Sequence, residues 1–288
     1  MTKKQLGFDT KDIDAGVRPQ DDFFHYASGG WMKRNPIPKA ESRWGSFTML
    51  RHTTDKQLRI LLKKVVETKH AEKGSAEQMI RDFYLSGMNL KHRKALGLSP
   101  LKKQLELVEK IKTPEDMVRT IAQLERVGLS GVWGSSIDQD MKNSEKYIIY
   151  MGQGGLGMPD RDYYLKDDAE SKRVRKAYEI HLIRIGELVG NKDAKQRAAV
   201  ILEIETALAK ASMKKEDLRD VDKTYHKKTI VQLKKLTPRI DWKEYFEILG
   251  TSPKEVVVMQ PDFFVAVEKL FYSFPIESWK TYLATHIV

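Results

Sequence analysis

Thr113-Pro114-Glu115-Asp116-Met117-Val118-Arg119-Thr120-Ile121-Ala122-Gln123-Leu124, with Gly128 just beyond, is the stretch that decides the fold class. A threonine that can cap, a proline at the first helical position and a closing glycine frame apolar residues at 117, 118, 121 and 124, which is helical spacing. The same grammar repeats outward in both directions. Ser99-Pro100 starts a helix carrying Leu101, Leu105, Val108 and Ile111, and Ser75-Ala76-Glu77-Gln78 reads as a capping box ahead of Met79, Ile80, Phe83 and Tyr84. Leu58, Leu61, Leu62, Val65 and Val66 form one more apolar stripe. Downstream, helices are expected over about 168–189 and 192–212, then a shorter one opened by Asp241 and ended by Gly250. Pro275 opens a last helix with Ile276, Trp279 and Leu283 on one side. The expected fold is therefore mostly α, a multi-helix lobe.

One segment departs from this pattern. Val132–Ile137 and Tyr147–Met151 flank a polar loop and read as an antiparallel β-hairpin. Val256-Val257-Val258-Met259 reads as a short strand or a buried extended run stopped by Pro261. Residues 21–47 show neither helical nor strand period. Their density of aromatics, Gly and Pro predicts irregular backbone, with Trp31, Trp44 and Phe47 as apolar anchors and Gly29, Gly30 and Gly45 at turns.

A chain of 288 residues can bury roughly three quarters of its unfolded surface, so it needs no disulfide or metal to stabilise a core. It has no cysteine, which excludes disulfides, Cys-ligated zinc and thiol catalysis. No apolar run approaches the ~18–20 residues of a membrane span and no signal-peptide pattern follows Met1, so the expectation is a soluble, cytoplasmic protein. Its 51 basic and 40 acidic side chains give a charge of +11. Acids interrupt every basic cluster and no reading motif accompanies them, so no nucleic-acid partner and no membrane are expected.

The chemistry-bearing motifs are sparse. The histidines at 25, 52, 70, 92, 181, 226 and 286 are never closer than 18 positions, so the one-turn spacing of a zinc site is missing and no metal ligand is assigned. Glu216-Asp217-Leu218-Arg219-Asp220 fits a Glu-x-x-x-Asp pattern but follows no His-Glu-x-x-His helix. Gly152-Gln153-Gly154-Gly155-Leu156-Gly157 satisfies G-x-G-x-x-G after a strand, yet the next helical period begins only near 168 and no βαβ alternation surrounds it. A structural turn with glycines at positive φ is the reading it supports, and no catalytic residue or bound cofactor is assigned.

The opening segment, Asp22-Phe23-Phe24-His25-Tyr26-Ala27-Ser28-Gly29-Gly30-Trp31 with Ser42-Arg43-Trp44-Gly45, resembles the N-terminal signature of the neprilysin-like family of zinc metallopeptidases, bacterial oligopeptidase O type. Gly155–Tyr164 is similar to the family's Gly-Leu-Pro-x-Arg-Asp-Tyr-Tyr element. Arg219-Asp220 with Tyr225, Val256–Pro261 and Trp279–Leu283 resemble further landmarks in family order. Gln20 and Ser28 stand where secreted animal members carry cysteines.

The resemblance implies residues 1–42 as a segment packing on the catalytic lobe, 43–250 as a helical capping lobe and 251–288 as a connection toward a catalytic zinc domain. Zinc, the His-Glu-x-x-His site and the substrate-binding strand would belong to that domain, the partner in cis or trans, and peptides would be the substrates. Residues 1–42 and 276–288 would then carry apolar side chains, Trp279 among them, that need the missing lobe for cover. Arg43 matches the arginine implicated in binding a peptide's C-terminal carboxylate, which suits a guanidinium fork. Bracing of the aromatic loop, by stacking on Trp44 or capping carbonyls, is the other reading of Arg43. Three functions stay open: the N-terminal region of a peptidase, inactive alone; one half of a split peptidase; or a non-catalytic helical binding or regulatory protein.

Overall fold

A computed structural model describes residues 9–68, 70–129 and 131–288. The chain divides into two compact units, Met1–Ala95 and Leu96–Val288.

The first unit holds α1 (Phe23–Arg34), α2 (Ser46–Glu67), α3 (Ala76–Met88) and most of α4 (Leu90–Leu96). Helix α1 corrects the irregular backbone expected for residues 21–47. Asp22 caps it by accepting from the His25 amide at 2.9 Å, and its two glycines serve packing rather than turning. A Cβ on Gly30 would stand 2.3 Å from the Lys11 carbonyl, and one on Gly29 would stand 2.8 Å from the Asp14 side chain. The paired glycines thus let residues 11–14 lie against the helix. Asn35–Gly45 is the part that remains irregular. Phe47 is no anchor: it is 89% exposed. Ser75 caps α3 as expected, but Gln78 returns its side chain to the Gly74 amide.

Helices α2 and α3 contact each other, yet their helical stripes find no core. Among the described residues of this unit only Gly29 is buried.

The second unit contrasts sharply. Helix α5 (Lys102–Glu109) leads to α6 (Pro114–Glu125), whose Thr113 cap and Asp116 form a reciprocal capping box. Strands β1 (Trp133–Asp140) and β2 (Asn143–Gln153) pair as the expected hairpin, followed by α7 (Asp162–Leu165), α8 (Ala169–Leu188) and α9 (Ala194–Ala211). After α10 (Val221–Thr224), β3 (Lys227–Thr229), α11 (Ile230–Leu236) and α12 (Trp242–Leu249) comes β4 (Glu255–Val258). Helices α13 (Pro261–Ser273) and α14 (Ile276–Ile287) complete the unit.

The hairpin is part of a larger mixed sheet, in the order β1-β2-β4-β3. Strand β4 runs parallel to β2, with Ile149 opposite Val256 and Met151 opposite Val258, and β3 adds antiparallel to β4. Alternation sorts the strand side chains. Ile149, Met151, Val256 and Val258 enter the main core, while Ile148, Tyr150 and Val257 form a small cluster with Tyr225 on the other face.

The main core is aromatic at its centre. Trp133 packs 5.5 Å from Trp242 and 6.0 Å from Phe271, and Phe271 meets Trp279 edge-on at 5.1 Å. Helix α14 buries Trp279, Tyr282, Leu283 and Ile287. This corrects the expectation that 276–288 lacks cover, because α14 packs on α9 and α5 of the same unit.

Candidate functional site

The chain leaves α1 through Asn35, whose amide side chain donates to the Trp31 carbonyl at 2.9 Å, and runs through Pro36 and Pro38 to Glu41. Glu41 fixes the next turn. It pairs with His52 Nε2 at 2.7 Å and lies 3.4 Å from the Arg51 guanidinium. The His52 ring meets Trp44 edge-on, with centroids 5.2 Å apart. Trp44, Gly45 and Ser46 then join Phe24, Trp31, Met32 and Ile37 in the wall of an apolar groove of about 450 Å³.

Arg43 sits at this turn, exposed, between Glu41 and Trp44. Among the described residues it makes no hydrogen bond or ion pair, and none of their cations stacks on Trp44. The bracing is carried by Glu41 and His52, a pair that sequence reasoning missed. Ten and eleven residues separate Glu41 from Arg51 and His52, and no local motif marks the contact.

The histidines do not converge. His25 pairs with Asp22 at 2.6 Å, His52 with Glu41, and His286 with Glu205 at 2.9 Å. Among the described residues no three His, Asp or Glu side chains are grouped to hold a metal ion. Asp220 of the Glu-x-x-x-Asp pattern caps α10, accepting from the Asp222 amide at 3.1 Å.

The glycine-rich turn is structural. Gly155 alone in it has positive φ, at 78°, and its carbonyl accepts from the Tyr282 hydroxyl at 2.7 Å. A Cβ on Gly157 would lie 1.9 Å from the Tyr178 hydroxyl. That hydroxyl donates to Glu205 Oε1 at 2.9 Å, and the Tyr164 hydroxyl donates to Glu205 Oε2 at 2.7 Å. Glu205 is fully buried, so these donors and His286 supply the partners that a desolvated carboxylate requires. Burial first, then the Glu205 charge, pushes the Tyr164 and Tyr178 phenols far above their ordinary range, and they stay donors at any physiological pH. Gly155 and Gly157 make room for the Tyr282 and Tyr178 hydroxyls.

A second polar knot lies where β1 ends. Asp140, almost fully buried, accepts from the Tyr225 hydroxyl at 2.5 Å and from Lys227 at 2.9 Å. The Tyr225 bond, then the Lys227 bond, lower the Asp140 carboxyl to about 2, while burial and that carboxylate push Tyr225 up to about 12. Tyr225, one of the landmark residues, is thereby tied to the hairpin.

Comparisons with known proteins agree with one another. Residues 19–288 match the family model of Peptidase family M13. Endothelin-converting enzyme 1 of Rattus norvegicus is 33% identical over 263 residues, covering 86% of this chain and 33% of that protein. Endothelin-converting enzyme-like 1 of Homo sapiens is 28% identical over 298 residues, 96% of this chain and 38% of that protein. The Mycobacterium tuberculosis zinc metalloprotease Zmp1, solved in complex with inhibitor, superposes with a TM-score of 0.86 at 31% identity, over 98% of this chain and 43% of that one. PepO from Lactobacillus rhamnosis shares the fold, with a TM-score of 0.72 at 18% identity over 94% of this chain and 42% of its own. The chain spans well under half the length of each of these relatives.

Proposed function

The chain belongs to peptidase family M13, and from that premise we propose that it is the N-terminal, cleft-capping region of a neprilysin-like zinc endopeptidase acting on peptides. Zinc and its ligands would lie in a catalytic domain outside these 288 residues, in the same polypeptide or a second one, and this chain would hydrolyse nothing alone. In such an enzyme bound zinc polarises the scissile carbonyl and activates water. The residues here would bind and orient the peptide.

The observation that carries this reading is that, among the described residues of the Met1–Ala95 unit, only Gly29 is buried. Phe23, Phe24, Phe47, Leu58, Leu61 and Phe83, carried on α1, α2 and α3, are all at least half exposed. Apolar area of this kind, left in water at roughly 25 cal/mol per Å², is what a second lobe would cover. A self-sufficient binding protein would be expected to bury its stripes internally. The absence of cysteine is consistent with a reducing, cytoplasmic setting.

Arg43 is the residue we assign to the peptide's C-terminal carboxylate. Glu41 and His52 hold its turn, leaving the guanidinium exposed and uncommitted beside an apolar groove. A free fork next to apolar surface suits the charged end of a peptide.

The test is to measure zinc content and peptide cleavage of the purified chain, alone and with a catalytic domain of the family supplied in cis or in trans. Cleavage is expected only in the completed protein. One tightly held zinc per isolated chain, with chelator-sensitive cleavage, overturns the proposal.

A further inference from the structure

A separate pocket of about 280 Å³ opens beside the glycine turn of the second unit. Its wall includes Gly155, Asp160, Arg161, Ser212 and Lys215. The charged residues of its wall are Asp160, Arg161 and Lys215, and Arg161 alone of these makes no ion pair with the described residues. Lys215 lies 3.5 Å from Asp160, and Lys166 lies 2.6 Å from Asp162. Arg161, between those two aspartates in sequence, makes no ion pair with the described residues, and its Nε, shut off from solvent, donates to nothing.

A guanidinium N–H that has lost water and gained no acceptor is disfavoured relative to a solvated one. Arg161 is part-exposed and belongs to the pocket wall, so an anion there would meet a guanidinium that makes no ion pair with the described residues. The walls are already held in place. The Gln153 side chain accepts from the Met213 amide at 2.7 Å and donates to its carbonyl at 3.2 Å. Asp160 accepts from the Asp162 amide at 2.8 Å. A pocket built in advance binds without paying for loop ordering.

We propose that this pocket binds one carboxylate of a peptide, with Arg161 as its counter-charge. A single unmatched positive charge suits a monoanion. Asp160 and Asp162, already satisfied by lysines, would repel the second charge of a phosphate. The volume admits a carboxylate with a few methylenes and little more. Because the chain belongs to a peptidase family, the carboxylates it meets are those of peptides. They come either from an acidic side chain or from the C-terminus. The site is distinct from Arg43, which lies in the other unit.

The test uses the 288-residue chain and follows the Arg161 Nε–Hε resonance and the Gly155 and Ser212 amides by NMR at fixed ionic strength. N-acetylglutamate α-amide carries only the side-chain carboxylate, N-acetylglutamine only the terminal one, and N-acetylglutamine amide neither. Inorganic phosphate is the fourth probe. At least one carboxylate should give a saturable shift, and which one identifies the source; the neutral amide should give none. Arg161→Gln should weaken binding at least tenfold, and Arg161→Lys by less. No saturable shift with either carboxylate, tighter binding of phosphate, or affinity unchanged in Arg161→Gln each overturns the proposal. If Arg161→Gln does not fold, the wild-type titrations and Arg161→Lys decide.

Discussion

Gly157→Ala is the substitution that most directly tests the reading of the glycine turn. Glycine to alanine at an unstrained position ordinarily stabilises by about 0.4–1 kcal/mol, through the unfolded chain. Here the sign should invert. The new Cβ would stand 1.9 Å from the Tyr178 hydroxyl and 2.5 Å from the ring carbon bearing it, against the ~3.5–4.0 Å that carbon contacts require. The ring has to withdraw by more than an ångström, and its hydroxyl is held 2.9 Å from Glu205. Losing a hydrogen bond to a charged group costs about 1.5–3 kcal/mol, and Glu205 is fully buried. We expect Gly157→Ala to destabilise by about 2–4 kcal/mol. Tyr178→Phe should cost about 1.5–3 kcal/mol by itself. In the double variant the costs should fall short of additive by at least ~1 kcal/mol, because the same bond is lost once. Urea unfolding followed by near-ultraviolet circular dichroism of the buried Trp133, Trp242 and Trp279 reads the second unit. A Gly157→Ala protein within ~0.5 kcal/mol of wild type, or strict additivity, would refute the steric argument.

Three further outcomes are expected. In a completed peptidase, Arg43→Ala should weaken peptides with a free C-terminal carboxylate by about 1.5–3 kcal/mol and leave amidated peptides nearly unchanged; equal losses in steady-state kcat/KM would make the residue structural. Asp140, lowered from 3.8 to about 2 in the folded protein, contributes stability that is present above pH ~4 and lost as pH falls toward ~2. Thermal unfolding from pH 5 to 2 should therefore fall more steeply for wild type than for Asp140→Asn, and parallel curves would contradict this. In hydrogen exchange, α2 and α3 should open well before α9 and α13, since the first pair has no buried side chain and the second pair lies in the core; equal protection would argue against a coreless unit.

Caps and stripes made most helices legible. Thr113, Asp168 and Asp241 do cap, and Gly250 closes α12 at φ 84°. What escaped was governed by tertiary contact. Helix α1 looked irregular because Gly29 and Gly30 lower helix propensity, while their use is to admit residues 11–14. Strand β3, Lys227-Lys228-Thr229, has no apolar alternation and exists only because β4 offers an edge. The Glu205 network joins Tyr164, Tyr178 and His286, and a separation of 81 residues between Glu205 and His286 leaves no local period to read. Arg43 came from resemblance alone; the Glu41–His52 pair that shapes its turn is visible only in three dimensions.

The parallel pairing of β2 with β4 sets a clock on biosynthesis. Ile149 must wait for Val256, 107 positions later (256 − 149), before the sheet can close. At about 5–20 residues per second that is on the order of 5–20 s on the ribosome. Through that interval Ile149, Tyr150 and Met151 stand on an open strand edge, the kind of surface that pairs with another chain. Expression that outruns chaperone supply should therefore lose this protein through its β-hairpin, although helices make up most of its mass.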